Sequence, residues 1–436
     1  MAVILTIAGS DSVGGAGVEA DLKAISSMGA HGAVALTAVT AQNTSRVREI
    51  FPLPAEEVTA QITAVMEDAC VSAVKTGMLH SAKTARAVAS LLADLDIPLV
   101  VDPVLFAGVG AALHREGLVE ALRKDLFPLA TVVTPNREEA ETLSGITITD
   151  GVSMDRAGEA ILDLGPRAVL LKGGHLQGEM AVDTLYTEEG SLELASPRLD
   201  RKVHGAGCTL ASLIATGLGL GLDEREAVKE AKRRIYDSIA MALPVGKGLL
   251  CINPLATLYK EAMGLRMVEE VRSAVEVLEN RSPPELVPEV GMNVAYALPY
   301  PQGYREVCGV QGRLVRAGDR VRMAGEVRFG GSRHIARVVM SAMAADPTMR
   351  CAMNLRFSEE NVRRLEESGL RVGSFERSEE PEMVSSMEWG TTQAIRKCGD
   401  VPDVIFDRGG VGKEPMIRVL GRDPREVLSK ASVLFG

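Results

Sequence analysis

No stretch of this 436-residue chain holds the roughly 18–20 consecutive apolar residues that a membrane-spanning helix needs, so no membrane partner is expected. The apolar start Ala2–Ala8 lacks a basic leader and runs straight into a glycine-rich loop, which reads as a first strand rather than a signal peptide. Six cysteines, at 70, 208, 251, 308, 351 and 398, show no CxxC spacing. That scatter argues against a zinc site and suits a reducing cytoplasm. Neither GxGxxG nor GxxxxGK[ST] occurs, which removes the two common glycine-rich nucleotide motifs. Aromatic residues are scarce at 3%, and no internal repeat is evident. Surplus positive charge is missing as well. The net charge is −10, and residues 289–436, with 22 Lys+Arg against 20 Asp+Glu, reach only about +2. A nucleic-acid domain is usually more lopsided, so the expected partners are small molecules and no nucleic acid.

Against these absences stands the run His204-Gly205-Ala206-Gly207-Cys208-Thr209-Leu210. Gly205, Ala206 and Gly207 precede a cysteine at what reads as the mouth of a helix over Thr209–Leu220. Such a loop turns backbone N–H groups toward one point, where they and the helix dipole hold an anion. Cys208 is then expected beside that anion with a lowered pKa. An anion hole with a titratable neighbour suits phosphoryl transfer to an alcohol.

The length predicts two domains of unequal size. Over the first ~260 residues, β-branched runs alternate with helical patterns. Val3–Ala8, Ala33–Val39, Ala73–Thr76, Leu99–Asp102, Thr131–Thr134 and Ala168–Lys172 read as strands. Helical stretches include Gly17–Met28, Ala55–Met66, Ser81–Leu95 and Ser153–Leu164. This order predicts an α/β fold, a mostly parallel sheet with helices on both faces and ligands beyond the carboxyl ends of its strands. Leu255–Leu278 is helical, and Asn280-Arg281-Ser282-Pro283-Pro284 breaks it. The expected division is therefore 1–262, a helical connector at 263–288, and a smaller α+β or α/β domain at 289–436. In that last part Arg313–Val315 and Val321–Phe329 read as strands, and His334–Ala345, Ser358–Glu367 and Met383–Lys397 as helices.

In the first domain, Gly14-Gly15-Ala16-Gly17 permits close approach of backbone to a small substrate. Asp21 on the following helix and Gln42 at the end of the second strand offer a carboxylate and an amide, which together read a flat heterocycle bearing an amine and a ring nitrogen. The ordered blocks AGSDSVGGAGVEADLK (8–23), TAVTAQNT (37–44), KTGML (75–79), VDPV (101–104), TPNREEAETLSG (134–145), LKGGH (171–175) and HGAGCTLAS (204–212) resemble hydroxymethylpyrimidine/phosphomethylpyrimidine kinase, of the ribokinase-like three-layer α/β/α fold. The resemblance spans nearly all of 1–260. It implies two successive ATP-dependent phosphorylations of 4-amino-5-hydroxymethyl-2-methylpyrimidine, with a substrate pocket at Asp21, Gln42 and Met78. It further implies Mg²⁺ managed by Asp102, Asn136 and Glu139, Lys172 facing the nucleotide phosphates, and Cys208 as base for the hydroxymethyl group. Pyridoxal kinase activity is the nearest competitor within the fold, and a homodimer is the expected assembly.

In the second domain 19 of the 22 basic residues are Arg, the side chain that grips phosphates by paired hydrogen bonds. Arg313, Arg333 with His334, and the turn Asp407–Pro415 with Arg408, Gly410, Gly412 and Lys413 are candidate anion nests. PEVGMNVAYALPYP (288–301), GGSRHIARVVMSAM (330–343), CAMNLRFS (351–358) and FDRGGVGKEP (406–415) resemble the archaeal-type thiamine-phosphate synthase domain. That implies coupling of the pyrimidine diphosphate with a thiazole phosphate. Arg313 and His334 are the expected stabilisers of the leaving diphosphate, supported by Arg333, Arg408 and Lys413. Similar domains also serve as thiamine-phosphate sensors, the alternative to catalysis.

Overall fold

The structure, a computed structural model, describes residues 1–435 except 107, 109, 111–112, 174–177 and 382–385. The chain divides into two compact units, Met1–Leu258 and Tyr259–Gly436. Among the described residues no helix is long and apolar enough to cross a membrane.

In the first unit, strands β1 (Val3–Asp11), β2 (His31–Gln42), β3 (Val47–Pro52), β4 (Val71–Thr76), β5 (Leu99–Val101), β6 (Val132–Val133), β7 (Ala168–Leu171), β8 (Met180–Thr187) and β9 (Gly190–Pro197) form one sheet. Its order is β3-β2-β1-β4-β5-β6-β7-β8-β9. From β2 to β7 the pairing is parallel, and β3, β8 and β9 add antiparallel edges. All six expected strands form. The edge strands escaped the sequence reading because β3 and β9 are mostly exposed and carry little apolar signal.

Helices α1 (Gly17–Ser27), α2 (Ala55–Asp68), α3 (Ala82–Leu92), α4 (Leu118–Ala121), α5 (Arg137–Ser144), α6 (Gly151–Leu162), α7 (Ala206–Gly219) and α8 (Glu224–Ala240) cover both faces. Alternation along each strand sorts the two cores. Ile4, Val100, Val132 and Leu170 pack toward α1, α7 and α8, while Leu5, Val101, Val133 and Leu171 pack toward α2 to α6. A short parallel pair joins β10 (Val203–His204), which leads into α7, to β11 (Leu250–Cys251), which follows α8.

Helix α9 (Ala256–Arg281) takes in residues 263–281 of the segment 263–288 expected as a connector. Its Met267, Val271, Val275 and Leu278 recur at helical spacing and are buried in the core of the second unit, so 263–281 belongs to that unit's fold. Strands β12 (Val294–Ala297), β13 (Val307–Val310), β14 (Leu314–Ala317), β15 (Arg320–Met323), β16 (Val327–Phe329), β17 (Cys351–Arg356), β18 (Val372–Ser374), β19 (Val404–Asp407) and β20 (Met416–Gly421) follow. Seven of them form a mostly antiparallel sheet, β16-β13-β12-β17-β20-β19-β18, and β14 with β15 forms a separate hairpin. The single strand expected over Val321–Phe329 is thus two strands in two sheets. The chain breaks at Gly325, where a Cβ would lie 1.9 Å from the Gln311 carbonyl oxygen. Helices α10 (Arg333–Ala345), α11 (Glu359–Glu367), α12 (Ser386–Cys398) and α13 (Pro424–Ala431) complete the unit. Helices α10 and α12 pack on one face; α9, α11 and α13 pack on the other.

Candidate functional site

Parallel strands bring their following loops to one edge of a sheet. Here the loops after β1, β5, β6 and β7 and the start of α7 line a 200 Å³ cavity. Helix α7 begins at Ala206, three residues earlier than expected, which puts Cys208 in its first turn. Gly205 caps it at φ 95°, and a Cβ there would lie 1.7 Å from the Gly15 carbonyl oxygen, so only glycine fits. No side chain caps the helix, and the first-turn N–H groups of a helix have no partner within it. Gly205, Ala206, Gly207 and Cys208 all line the cavity.

The thiol itself departs from expectation. Burial pushes Cys208 up to about 12, with the Lys75 ammonium pulling the other way and Asp102 and Asp21 adding to the rise. The helix terminus does not overcome desolvation, and the lowered pKa read from the sequence is corrected to a raised one.

Asp102 and Lys172 close the other side. Lys172 Nζ lies 3.4 Å from Asp102 Oδ1, which also accepts from Thr134 Oγ1 at 3.2 Å. Burial works against the Lys172 ammonium, but Asp102 and Glu139 outweigh it and hold its pKa above the ordinary lysine value. Asn136 and Glu139 line the cavity and form the capping box of α5. Asn136 Oδ1 accepts from the Glu139 N–H at 3.0 Å, and Glu139 Oε2 from the Asn136 N–H at 2.9 Å. Burial raises the Glu139 carboxyl above its usual range; Lys172 lowers it and Asp102 raises it further.

Among the described residues no group of three or more His, Cys, Asp or Glu could hold a metal. Two neighbouring carboxylates do fit Mg²⁺, which binds through one or two protein carboxylates and otherwise through water and substrate phosphates. Capping leaves lone pairs on Glu139, and a divalent cation would draw its raised carboxyl back to the charged form.

Gln42 and Met78 line the same cavity. Gln42 Nε2 is 2.8 Å from His204 Nε2, which is 2.8 Å from Asp11 Oδ2. Asp11 Oδ2 also accepts from the Gly15 and Ala16 N–H groups at 2.9 and 2.8 Å, fixing the glycine loop. Sequence reasoning missed His204 and Asp11, although both sit inside its motifs. Asp21 was misplaced. It is fully buried and absent from the cavity wall, bonded to Lys75 Nζ at 2.8 Å, Thr6 Oγ1 at 2.6 Å and Ser212 Oγ at 2.8 Å. Its position falls on the inward face of α1, and Ser212 lies one turn after Cys208, so this ion pair sits beneath the anion hole.

In the second unit Arg313, His334, Gly412 and Lys413 line a 250 Å³ pocket. Arg313 adopts φ 72°, a conformation that favours glycine, and its guanidinium donates to the Val290 carbonyl. His334 remains open to solvent, yet desolvation at the pocket wall and then the field of Arg418, Arg313, Arg377 and Arg337 lower it to about 4. It is a neutral imidazole at neutral pH. Arg408 and Gly410 line neither this pocket nor the one adjoining it. Glu359 holds Arg408 at 2.9 Å over the Phe406 ring, and Gly410 closes a turn with Lys413. Lys413 pairs with Glu380 at 2.7 Å. The sequence reading also missed Arg377 and Arg418, which grip the buried Asp407 from two sides at 2.5 and 2.9 Å.

Comparison with known proteins gives two family matches in order: phosphomethylpyrimidine kinase over residues 11–253 and thiamine-phosphate synthase ThiN over residues 270–432. The bifunctional thiamine biosynthesis protein ThiDN of Methanocaldococcus jannaschii is 35% identical over 436 residues, covering 99% of this chain and 98% of that protein. The hydroxymethylpyrimidine/phosphomethylpyrimidine kinase of Streptomyces coelicolor is 48% identical over 248 residues, 57% of this chain and 92% of its own length. An ADP complex of Bacillus subtilis pyridoxal kinase superposes with a TM-score of 0.55 at 34% identity, over 59% of this chain and 99% of that one. The chain belongs to the ThiDN family, in which a ribokinase-like hydroxymethylpyrimidine/phosphomethylpyrimidine kinase is fused to a ThiN thiamine-phosphate synthase domain.

Proposed function

We propose that the first unit makes a pyrimidine diphosphate and the second consumes it. The carrying observation is the convergence of the α7 N-terminus, Asp102, Lys172 and Cys208 on one cavity that Gln42 and Met78 also line. In the first step the hydroxymethyl oxygen attacks the γ-phosphorus of ATP and ADP leaves. Phosphoryl transfer rests on alignment and charge neutralisation, and one preorganised donor of this kind contributes about 3 kcal/mol to the transition state. The N–H groups of 206–208 and Lys172 receive the transferring group. Asp102 and Glu139 would hold Mg²⁺ against the ATP phosphates, where the ion neutralises charge. Gln42 and Met78 contact the ring, while Asp21 acts from below by fixing Lys75. Cys208, in its thiolate form, takes the alcohol proton in the first step. The second acceptor is a phosphate already ionised at neutral pH, so that step needs no base. Pyridoxal, a similar flat alcohol, is placed as a side substrate, and comparing kcat/KM for the two alcohols checks this. The reading keeps a homodimer, which sedimentation velocity decides.

In the second unit the bond from the pyrimidine CH₂ to diphosphate breaks, its electron pair leaving with the diphosphate. The thiazole nitrogen then supplies the pair for the new C–N bond. Arg313 offsets the departing charge, and neutral His334 donates one hydrogen bond to it. The test supplies the purified full chain with hydroxymethylpyrimidine, ATP, Mg²⁺ and thiazole phosphate. Thiamine phosphate and inorganic diphosphate are expected in equal amounts. Accumulation of pyrimidine diphosphate, together with tight binding of added thiamine phosphate, would favour a sensor and refute the synthase half.

A further inference from the structure

Beside the 250 Å³ pocket of the second unit, two arginines share one acid. Asp407 ends β19 and is fully buried. Its Oδ1 accepts from Arg377 Nε at 2.5 Å and from the Gly409 N–H at 2.9 Å. Its Oδ2 accepts from Arg377 Nη2 at 3.2 Å and from Arg418 Nη2 at 2.9 Å. These four donors fill the lone-pair positions of the carboxylate. One negative charge nevertheless faces two positive ones, and all three side chains are at least nine-tenths buried. Burial lowers the Arg418 pKa below the ordinary arginine value; Asp407 opposes that fall and Arg377 adds to it. A surplus guanidinium in a buried cluster is unfavourable unless a further anion joins it.

The two arginines are not equivalent. Arg418 stands behind the pocket wall, 5.3 Å from the Phe375 ring and in contact with Met387 Sδ. Arg377 lines the pocket, as do Arg313 and His334. Asp407 takes the Nε and Nη2 edge of the Arg377 fork, and among the described residues no group bonds its Nη1. A planar guanidinium fixed along one edge keeps its far end aimed, which is the preorganised form of a phosphate ligand. Among the described residues the carboxylate in this wall is Glu414. It is engaged by backbone, accepting from the N–H groups of Glu289 and Val290 at 2.8 and 3.1 Å.

We propose that Arg377 is a phosphate-binding residue of the synthase site, its open Nη1 end, aimed by Asp407, meeting a substrate phosphate oxygen. The inference rests on the synthase reading and deepens it. The bound phosphate supplies the negative charge that the Arg377–Asp407–Arg418 cluster lacks. Both substrates carry the required group, the pyrimidine as a diphosphate and the thiazole as a monophosphate.

The test titrates the full chain calorimetrically with inorganic diphosphate and, separately, with thiazole phosphate, in wild type, Arg377→Gln and Arg377→Lys. In Arg377→Gln one of the two dissociation constants should rise about 10- to 100-fold, the range for a charge-assisted contact. The ligand whose affinity falls is the one that Arg377 touches. Arg377→Lys should fall between, because an ammonium keeps the charge but has no planar fork to serve Asp407 and a phosphate together. Thermal melting is the second readout. Removing Arg377 leaves Arg418 and Asp407 as a one-to-one pair, so Tm should shift by less than about 4 °C. Unchanged affinity for both ligands, or an equal loss for both, would overturn the assignment. Unchanged affinity with a larger fall in Tm would overturn it in favour of a structural clamp on Asp407. A wild-type chain that binds both ligands yet forms no thiamine phosphate would refute the synthase reading, and the titrations would still decide the Arg377 contact.

Discussion

In the first unit the phosphate site is built from backbone N–H groups at the start of α7, and its charged side chains come as pairs, Lys172 with Asp102 and Lys75 with Asp21. In the second unit the anion would meet guanidiniums carried by separate elements, and the pocket that gathers Arg313, Arg333 and Arg337 has no carboxylate among its described lining. The first design places fixed partial charges and leaves the net field near balance. The second leaves a positive field that adds to desolvation in holding His334 near 4. The difference suits the two tasks. A transferring phosphoryl group needs alignment, whereas a departing diphosphate needs its charge absorbed.

Removing charge from the balanced site is expected to have the largest effect. Asp102→Asn should lower kcat for both phosphorylations by about 10²–10³ while leaving thiamine phosphate formation from supplied pyrimidine diphosphate unchanged; separate assays of the three steps show whether the units are so divided. Cys208→Ala should follow, lowering the first phosphorylation by about 10²-fold and the second by far less. With the thiol pushed up to about 12, the thiolate fraction grows tenfold per pH unit below that value. The first step should therefore accelerate with pH between about 6 and 9 in wild type, and the second should stay flat. Identical profiles would make Cys208 a positioning residue.

Smaller effects sharpen the contrast between the fields. Raising salt should weaken substrate binding at the guanidinium site several-fold more than at the cavity beside α7, because open side-chain charge is screened and buried backbone dipoles are not. His334 is the single histidine of 289–436, so its ring resonances can be assigned with His334→Gln. It should titrate near 4 in the free protein and higher with diphosphate bound, as the anion offsets the arginines. A titration unmoved by diphosphate would place the anion elsewhere.

The same contrast explains what could be read from the chain. Gly205 to Cys208, Asp102, Asn136, Glu139 and Lys172 each follow a strand or open a helix within a short motif, so one-dimensional pattern located them. Asp21 failed because its role depends on the rotation of α1 against β4, which put its carboxylate on Lys75 rather than on the ligand. Arg337, Arg377 and Arg418 come from a helix, a loop and a strand, and only the antiparallel sheet gathers them around His334. No local periodicity marks an arginine that will be drawn in from a distant strand. The rise of the Cys208 thiol was likewise hidden, since desolvation is set by everything packed around it.

If two separately built sites share one intermediate, disabling the first must spare the second, and Gly205→Ala separates them. A Cβ at this position collides with the Gly15 backbone and should disable the anion hole alone. The variant should make no thiamine phosphate from hydroxymethylpyrimidine and ATP, yet should make it at the wild-type rate from supplied pyrimidine diphosphate. Persistent synthesis from hydroxymethylpyrimidine, or loss of synthesis from the diphosphate as well, would contradict the account.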